Sequence, residues 1–351
     1  MAGPSVGFVV PAYNAVPYLA EALRSVMDQG CGRWSAVVVD DGSSDGTAEL
    51  AAEMAATCPE VRVVRQANTG VSAARNRGLA ELAGSGLRWV CFLDSDDALV
   101  PGALADLAAR VDEVPGAVGA YGVAEYMDSE GRPLAPGAHS AIQRRRVTFA
   151  PSPYGAGGAL RRFAGRLAGR QLRPEEPTGF DALAVYGSIW PPAVALVGLE
   201  EALAVGGFDA SLAYMEDWDF FLRLSRSGPL AFVDRQVAWY RRHPGNAGAD
   251  LAARGLALGE RGSSYDRTVA QVRYKAWSDP ANTPEQRCAL RKAHVRQQAG
   301  EVRTHVRLAG RQAVRTAWGE AGTELCRAGD ALVALAALRP RAPRPLPKPG
   351  Q

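Results

Sequence analysis

A hydrophobic run, Arg88-Trp89-Val90-Cys91-Phe92-Leu93, ends in Asp94-Ser95-Asp96-Asp97. Three carboxylates at the C-terminal end of a buried strand are costly unless something positive neutralises them. The usual partners are a divalent cation, an arginine, or a ligand that brings a cation with it. Oxygen donors at this density suit Mg or Mn rather than Zn. Upstream, a second run, Val37-Val38-Val39, ends in Asp40-Asp41-Gly42-Ser43. Two acidic strand ends in one α/β chain point to a nucleotide-type ligand lying across the tops of neighbouring strands.

Other residues supply complementary chemistry. In Glu216-Asp217-Trp218-Asp219-Phe220-Phe221-Leu222-Arg223-Leu224, Asp217 shares a helical stripe with Phe220, Phe221 and Leu224. A carboxylate there either interacts with the helix dipole and caps backbone N–H groups, or points into a cleft as a general base with its pKa raised by burial and neighbouring acids. Beside two acidic strand ends the second role is favoured. Asp219 and Arg223 read as an i,i+4 pair on the outer side. Asp40 is placed to accept a hydrogen bond from a nucleobase N–H, and the Tyr13 ring to stack on the same base. Arg75, among small residues between Gly70 and Gly78, is positioned to reach the strand-four carboxylates or a diphosphate; the glycine and alanines around it read as close helix–sheet packing. His243 is either a structural or exposed histidine or a third cation ligand. The chain has no GxGxxG or GxxxxGK[ST] loop and no nucleophile elbow.

These residues need strands and helices to hold them. The first ~125 residues alternate strand and helix signals, the pattern of a mostly parallel sheet with helices on its faces. Strands are expected at Val6–Val10, Ser35–Asp40, Val61–Arg65, Arg88–Leu93 and Ala117–Tyr126, and helices from about Pro17 to Asp28, from a cap at Ser44 or Asp45 to about Thr57, from Gly70 to Ala83, and from Pro101 to about Val111. Between Asp128 and Pro192 the pattern weakens to loops, a hairpin and a short helix. Ala193–Leu199, Leu230–Val233 and Val237–Arg241 are further strand candidates, and a helix starts near Met215. From about residue 248 to 338 an Ala-, Arg-, Leu- and Gln-rich extension predicts three or four helices, and 339–351 reads as a disordered Pro/Arg-rich tail.

Composition narrows the classes. With 351 residues, 47% of them hydrophobic, the chain can bury a large core, and a net charge of +3 gives no bulk signal for nucleic acid. Charge is uneven: Gly131–Pro174 holds nine arginines and no acid, a stretch suited to solvation, phosphates, an anionic membrane surface or an acidic partner. The five cysteines are scattered, without a CxxC pair, which argues against a disulfide framework or a structural zinc site. With no signal peptide or membrane span visible, the expectation is a cytoplasmic protein whose membrane association, if any, is peripheral at the inner surface.

Taken in order, Val9-Val10-Pro11-Ala12-Tyr13-Asn14, Val39-Asp40-Asp41-Gly42-Ser43, Asn68-Thr69-Gly70 with Ala74-Arg75-Asn76, Phe92-Leu93-Asp94-Ser95-Asp96-Asp97, Gly206-Gly207-Phe208-Asp209, Glu216-Asp217-Trp218-Asp219 and Arg242-His243 resemble the family 2 glycosyltransferases of GT-A fold over about residues 5 to 245. The resemblance implies a GT-A domain over 1–247, with a nucleotide-sugar half at about 1–127 and an acceptor half at 128–247. It implies a nucleotide-diphosphate sugar donor, often UDP-linked, with Mn2+ or Mg2+, and an inverting transfer. Under it, Pro11, Tyr13 and Asp40 meet the base, Asp94 approaches the ribose, and Asp94-Ser95-Asp96 is the DxD motif. Asp96 ligates the metal with His243 as an additional ligand, Arg75 holds the acids or the diphosphate, Asp97 caps the next helix or supports the site, and Asp217 is the base. The acceptor is left open, and the helical extension is free to dimerise, dock a partner or wall the acceptor cleft. Two alternatives stand: a non-catalytic sugar-nucleotide scaffold on the same fold, and a sugar-1-phosphate nucleotidyltransferase. The latter would want a glycine-rich basic loop where Pro11-Ala12-Tyr13-Asn14 stands.

Overall fold

The computed structural model describes residues 3–135, 137, 144, 146–149, 169–186, 189–246 and 264–295. Arg145, Arg161, Arg162, most of the expected C-terminal helices and the 339–351 tail lie outside them. The chain divides into two compact units: 1–146 with 172–179 and 188–268, and 147–171 with 180–187 and 269–351.

The first unit is built on an eight-stranded mixed sheet. In chain order its strands are β1 (Ser5–Ala12), β2 (Arg33–Asp40), β3 (Val61–Arg65), β4 (Trp89–Phe92), β5 (Ala98–Leu99), β6 (Gly119–Met127), β9 (Ala195–Gly198) and β10 (Leu230–Arg241). Across the sheet they run β3-β2-β1-β4-β9-β6-β10-β5. The β3-β2-β1-β4 half is parallel; β9 inserts antiparallel between β4 and β6. Ala12 pairs with Asp40 and Val9 with Phe92, so β2 and β4 end on the same edge with β1 between them. At ordinary strand spacing this puts Asp40 and Asp94 about 10 Å apart. The central strands bury Phe8, Val9, Val10, Val37, Val38, Val39, Val90 and Cys91 completely, as near-continuous apolar runs require.

Helices α1 (Leu19–Met27), α2 (Thr47–Thr57), α3 (Val71–Leu82), α4 (Ala103–Glu113), α6 (Leu199–Ala204) and α7 (Glu216–Leu224) complete this unit. The approach of α3 to β1 follows from its glycine: a Cβ at Gly78 would sit 2.4 Å from Val9 Cγ1. That contact, one turn beyond Arg75, fixes the face Arg75 presents. The second unit contains the antiparallel pair β7 (Val147–Phe149) and β8 (Gly169–Gln171), with α5 (Phe180–Tyr186) packed on β7. Helix α8 (Ser264–Ser278) begins in the first unit and runs into the second, where a further helical stretch spans 284–295.

Several expectations are corrected. The candidates Leu230–Val233 and Val237–Arg241 are one strand, interrupted by register shifts around Gln236. Helix α4 starts after Gly102, not at Pro101. Neither Ser44 nor Asp45 is the N-cap of α2; that place falls to Gly46, and Asp45 accepts from Thr47 N, the first residue of the helix, at 3.0 Å. The Asp219–Arg223 pair is not on the outside: Asp219 is 3% exposed, and Arg223 also donates to Val205 O and Gly207 O. No helix among the described residues is long and apolar enough to cross a membrane.

Candidate active site

The centre of the site is an arginine bridge. Arg75, 3% exposed, places Nη2 2.7 Å from Asp94 Oδ1 and Nη1 2.9 Å from Glu216 Oε1. It joins the end of β4 to the first turn of α7, 141 residues away along the chain from Arg75. Burial works against its charge, but Asp94 and Glu216 outweigh that and hold its pKa above the ordinary value.

The floor beneath it is aromatic. The guanidinium carbon lies 5.1 Å from the Phe208 ring centroid. Phe208 stacks on Phe220 at 4.4 Å and meets Phe92 edge-on at 4.9 Å. Phe208 is held by Asn76, which donates from Nδ2 to Phe208 O and accepts from Phe208 N, both at 2.7 Å. Gly207, at φ +65°, is required there, because a Cβ would fall 2.3 Å from Asn76 Oδ1. Arg223 clamps the same turn from α7.

Asp217 lies on the inner face at the start of α7 and is 5% exposed. Its Oδ1 accepts from Trp218 N at 2.6 Å; Oδ2 has no hydrogen-bond partner among the described residues. Burial, then the neighbouring Glu216 charge, pushes its pKa up to about 8, with Arg75 pulling the other way. A carboxyl tuned to this range is suited to taking up a proton near neutral pH. The residue before Glu216, Met215, sits at φ +60°, a left-handed conformation uncommon for a side-chain-bearing residue.

A second cluster gathers at Asp96. His243 Nε2 lies 2.9 Å from Asp96 Oδ2, and Asn246 Nδ2 donates to the same oxygen at 3.1 Å. Arg241, completely buried, braces the acidic loop: its backbone N donates to Asp97 Oδ1 and its Nε to the Asp96 carbonyl. Its Nη2 lies 2.6 Å from Glu21 Oε2. Asp97 supports the loop through Arg241 and does not cap α4. Burial, reinforced by the Asp96 and Asp94 charges, raises its pKa well above the carboxylate range. Burial raises Asp94 too, against the pull of Arg75.

The first two strand ends are stitched together beside these clusters. Asn14 N donates to Ser43 Oγ and Asn14 Oδ1 accepts from Ser44 N, both at 3.0 Å. Asp40 is fully buried; its Oδ1 accepts from Ser43 N at 3.1 Å. Arg65 Nε lies 3.0 Å from Oδ2 but out of line for a hydrogen bond. Pro11 and Ser95 are buried, and Tyr13 is 54% exposed at the turn. The Asp41 carboxylate is structural, accepting from Thr69 N and Gly70 N at the entrance to α3.

Sequence reasoning thus singled out Arg75, Asp94, Asp96, Asp217 and His243, which the structure gathers into two adjoining clusters, and Pro11, Tyr13 and Asp40, which line the neighbouring strand ends. It missed Glu216 as the second anchor of Arg75, Asn246 as a partner of Asp96, and Arg241 as the brace. Asn246 was marked by its turn, His243-Pro244-Gly245-Asn246; nothing local marks Glu216 or Arg241. Of the arginines between 131 and 174, Arg146 is not free to meet a phosphate: it is 5% exposed, donates to Glu176 O and lies over Phe232. No group of three or more His, Cys, Asp or Glu placed to hold a metal occurs among the described residues.

The Glycosyl transferase family 2 model matches residues 8–165. The chain is 38% identical over 95 residues to the putative teichuronic acid biosynthesis glycosyltransferase TuaG of Bacillus subtilis, an alignment of 27% of this chain and 36% of that protein. It is 30% identical over 251 residues to the uncharacterized protein MT1568 of Mycobacterium tuberculosis, covering 69% of this chain and 68% of that one. The chain spans between about a sixth and just over a third of the length of the first curated relatives it matches. Among solved structures, S. aureus TarS 1-349 in complex with UDP-GlcNAc superposes with TM-score 0.59 at 17% identity, over 94% of this chain and 81% of that one. Mannosyltransferase PcManGT from Pyrobaculum calidifontis, in complex with GDP-Man and Mn2+, gives TM-score 0.55 at 17% identity, over 96% and 87%. With its mixed sheet and ordered acidic motifs, the chain belongs to glycosyl transferase family 2 and has the GT-A fold.

Proposed function

We propose that the protein is a metal-dependent, inverting glycosyltransferase that moves a sugar from a nucleotide-diphosphate donor, a UDP-sugar in the first instance, to an acceptor hydroxyl. The observation that carries this reading is the Arg75 bridge, which brings Asp94 at the end of β4 together with Glu216 and its neighbour Asp217 at the start of α7. Membership of the family supports it. So does the donor class of the two structural neighbours, recorded with UDP-GlcNAc and with GDP-Man and Mn2+.

In this reading Pro11, Tyr13 and Asp40 receive the base, Tyr13 through its exposed ring and Asp40 through its carboxylate. Asp94, steered by Arg75, faces the ribose, and Ser95 completes the loop. Asp96, with His243 beside it, marks the place of the cation, which when bound would offset charge on the departing diphosphate. Asp217 removes the proton from the acceptor hydroxyl through Oδ2. The oxygen attacks the anomeric carbon as the bond to the diphosphate breaks, and one such displacement inverts that carbon. Donor binding falls within 1–127; acceptor choice belongs to 128–247 and the extension.

The test is release of nucleoside diphosphate from a panel of UDP-sugars and GDP-mannose with Mn2+, paired with melting temperatures of the same mixtures. One donor is expected both to raise the melting point and to be turned over. Binding without turnover with every acceptor class tried would favour a sugar-nucleotide scaffold instead.

A further inference from the structure

Beside the acidic loop runs a row of aromatic side chains. Strand β9 is antiparallel to β4 and pairs Val197 with Val90, so the residues that precede Ala195 lie beyond the end of β4, where Asp94–Asp97 emerge. Cys91 Sγ, 3.9 Å from Ala193 O, marks the same approach. Trp190, three residues earlier, packs on Tyr240 with ring centroids 4.5 Å apart. Tyr240 is the register partner of Tyr126 in the β10–β6 pair, and their centroids are 5.8 Å apart. Arg242, two residues beyond Tyr240, extends the same face and sets its guanidinium carbon 5.3 Å from the Tyr126 ring centroid. Trp190 and Tyr126 are half-buried and Arg242 is exposed. Arg242 pairs with no carboxylate among the described residues.

The position of the row bears on what it can hold. In the sheet order β3-β2-β1-β4-β9-β6-β10, Pro11, Tyr13 and Asp40 lie on the β1–β2 side of the acidic loop and the row lies on the β9–β6–β10 side. A nucleoside on Asp40 therefore leaves the row uncovered. Burial, then the Asp97, Asp96 and Asp94 charges, raise the Tyr240 phenol. Asp94 acts on the Asp217 carboxyl as well, so the row and the base flank one loop. The apolar C–H face of a pyranose ring suits an aromatic surface, which offers a large contact area in a fixed place. A guanidinium steadied over a ring keeps its N–H edge for a carboxylate or phosphate oxygen.

We propose that Trp190, Tyr240, Tyr126 and Arg242 form the subsite for an acceptor sugar that carries a negative group, a carboxylate or a phosphate. Trp190 and Tyr126 receive the sugar ring, Tyr240 backs them both, and Arg242 pairs with the charge. The proposal rests on the transferase reading for which molecule is the acceptor, and it names the chemical class of acceptor that the reading leaves open.

Trigalacturonate and glucose 6-phosphate serve as probes, with methyl-esterified trigalacturonate and glucose as their uncharged counterparts. Affinities are read by ligand-observed NMR titration of the full chain with UDP and Mg2+ present, and UDP affinity by calorimetry in parallel. At least one charged probe is expected to bind at millimolar concentration, more tightly than its counterpart. Trigalacturonate alone identifies a uronate acceptor, and glucose 6-phosphate alone a phosphorylated one. Trp190→Ala is expected to weaken the bound probe by about tenfold. Arg242→Gln is expected to weaken it by about tenfold or more, and its uncharged counterpart by less than about twofold. UDP affinity is expected to stay within about twofold in both variants, which also reports their folding; if Trp190→Ala fails to fold, Arg242→Gln decides alone. Failure of both charged probes to bind, equal losses for charged and uncharged probes in Arg242→Gln, or an unchanged affinity in Trp190→Ala overturns the proposal. Loss of UDP binding in Arg242→Gln overturns it too, because the guanidinium then serves the donor. If the wild type does not bind UDP, the transferase reading fails, while the probes, titrated without UDP, still decide whether the row holds an acidic sugar.

Discussion

The two acidic strand ends satisfy their carboxylates in opposite ways. At the end of β2, Asp40 and Asp41 draw their partners from nearby sequence: Ser43 N, Gln66, Thr69 N and Gly70 N, none more than 29 residues away. At the end of β4 the carboxylates of Asp94, Asp96 and Asp97 depend on Arg75, Arg241, His243 and Asn246, the last three 144 to 150 residues away. Each end leaves one buried oxygen without a hydrogen bond among the described residues, Asp40 Oδ2 and Asp97 Oδ2. Local satisfaction builds a turn and caps a helix. Satisfaction from distant segments draws separate elements of the sheet and its helices onto one acidic loop, where titratable groups with shifted pKa values collect.

The sharpest way to exploit this contrast is at Asp217. Asp217→Asn is expected to lower sugar transfer by about 10³-fold, with UDP binding by calorimetry almost unchanged. The same substitution carries a pH signature. The Asp217 carboxyl is raised to about 8 in the folded protein, against an unfolded value near ~4. Its contribution to stability is therefore complete below that unfolded value and is lost as pH rises through about 8. Denaturant unfolding at acid and mildly alkaline pH is expected to show a steeper loss in wild type than in Asp217→Asn. Transfer needs the ionised form, so kcat/KM is expected to climb toward about pH 8.

Next in size is Arg75→Met, which leaves Asp94 and Glu216 facing each other without a counter-charge. Because both carboxylates keep some exposure, a loss of about 3 kcal/mol is expected in chemical denaturation. At the β2 end, Asp41→Ala removes the acceptor of two backbone N–H groups and is expected to cost about 1–2 kcal/mol by the same measurement. The smallest effect comes from Arg77→Ala, two residues along α3 from Arg75. Arg77 is 52% exposed and pairs with Glu81 across one helical turn, so a change under about 0.5 kcal/mol is expected.

Much of this was legible in the sequence because it is local. Hydrophobic runs ending in aspartates marked β2 and β4, and Gly78 with its alanine neighbours marked the close packing of α3. What stayed hidden depended on tertiary context. Ala98–Leu99 is too short to show alternation. The polar Asp234-Arg235-Gln236 hid the continuity of β10, because irregular pairing removes the period that marks a strand. The Asp219–Arg223 pair looked like helix-surface chemistry, yet it is buried because the turn at Val205-Gly206-Gly207 offers its carbonyls there. Glu216 carried no mark either, since its importance lies wholly in an arginine from another helix.

The central claim, that distant segments converge on one charged pocket, is most directly tested by a double-mutant cycle between Arg75→Met and Glu216→Gln, read by equilibrium unfolding. If the two side chains share the buried ion pair, their effects are expected to be non-additive, with a coupling of about 1–3 kcal/mol. Strict additivity would mean that α3 and α7 do not meet at Arg75, and would contradict the site described.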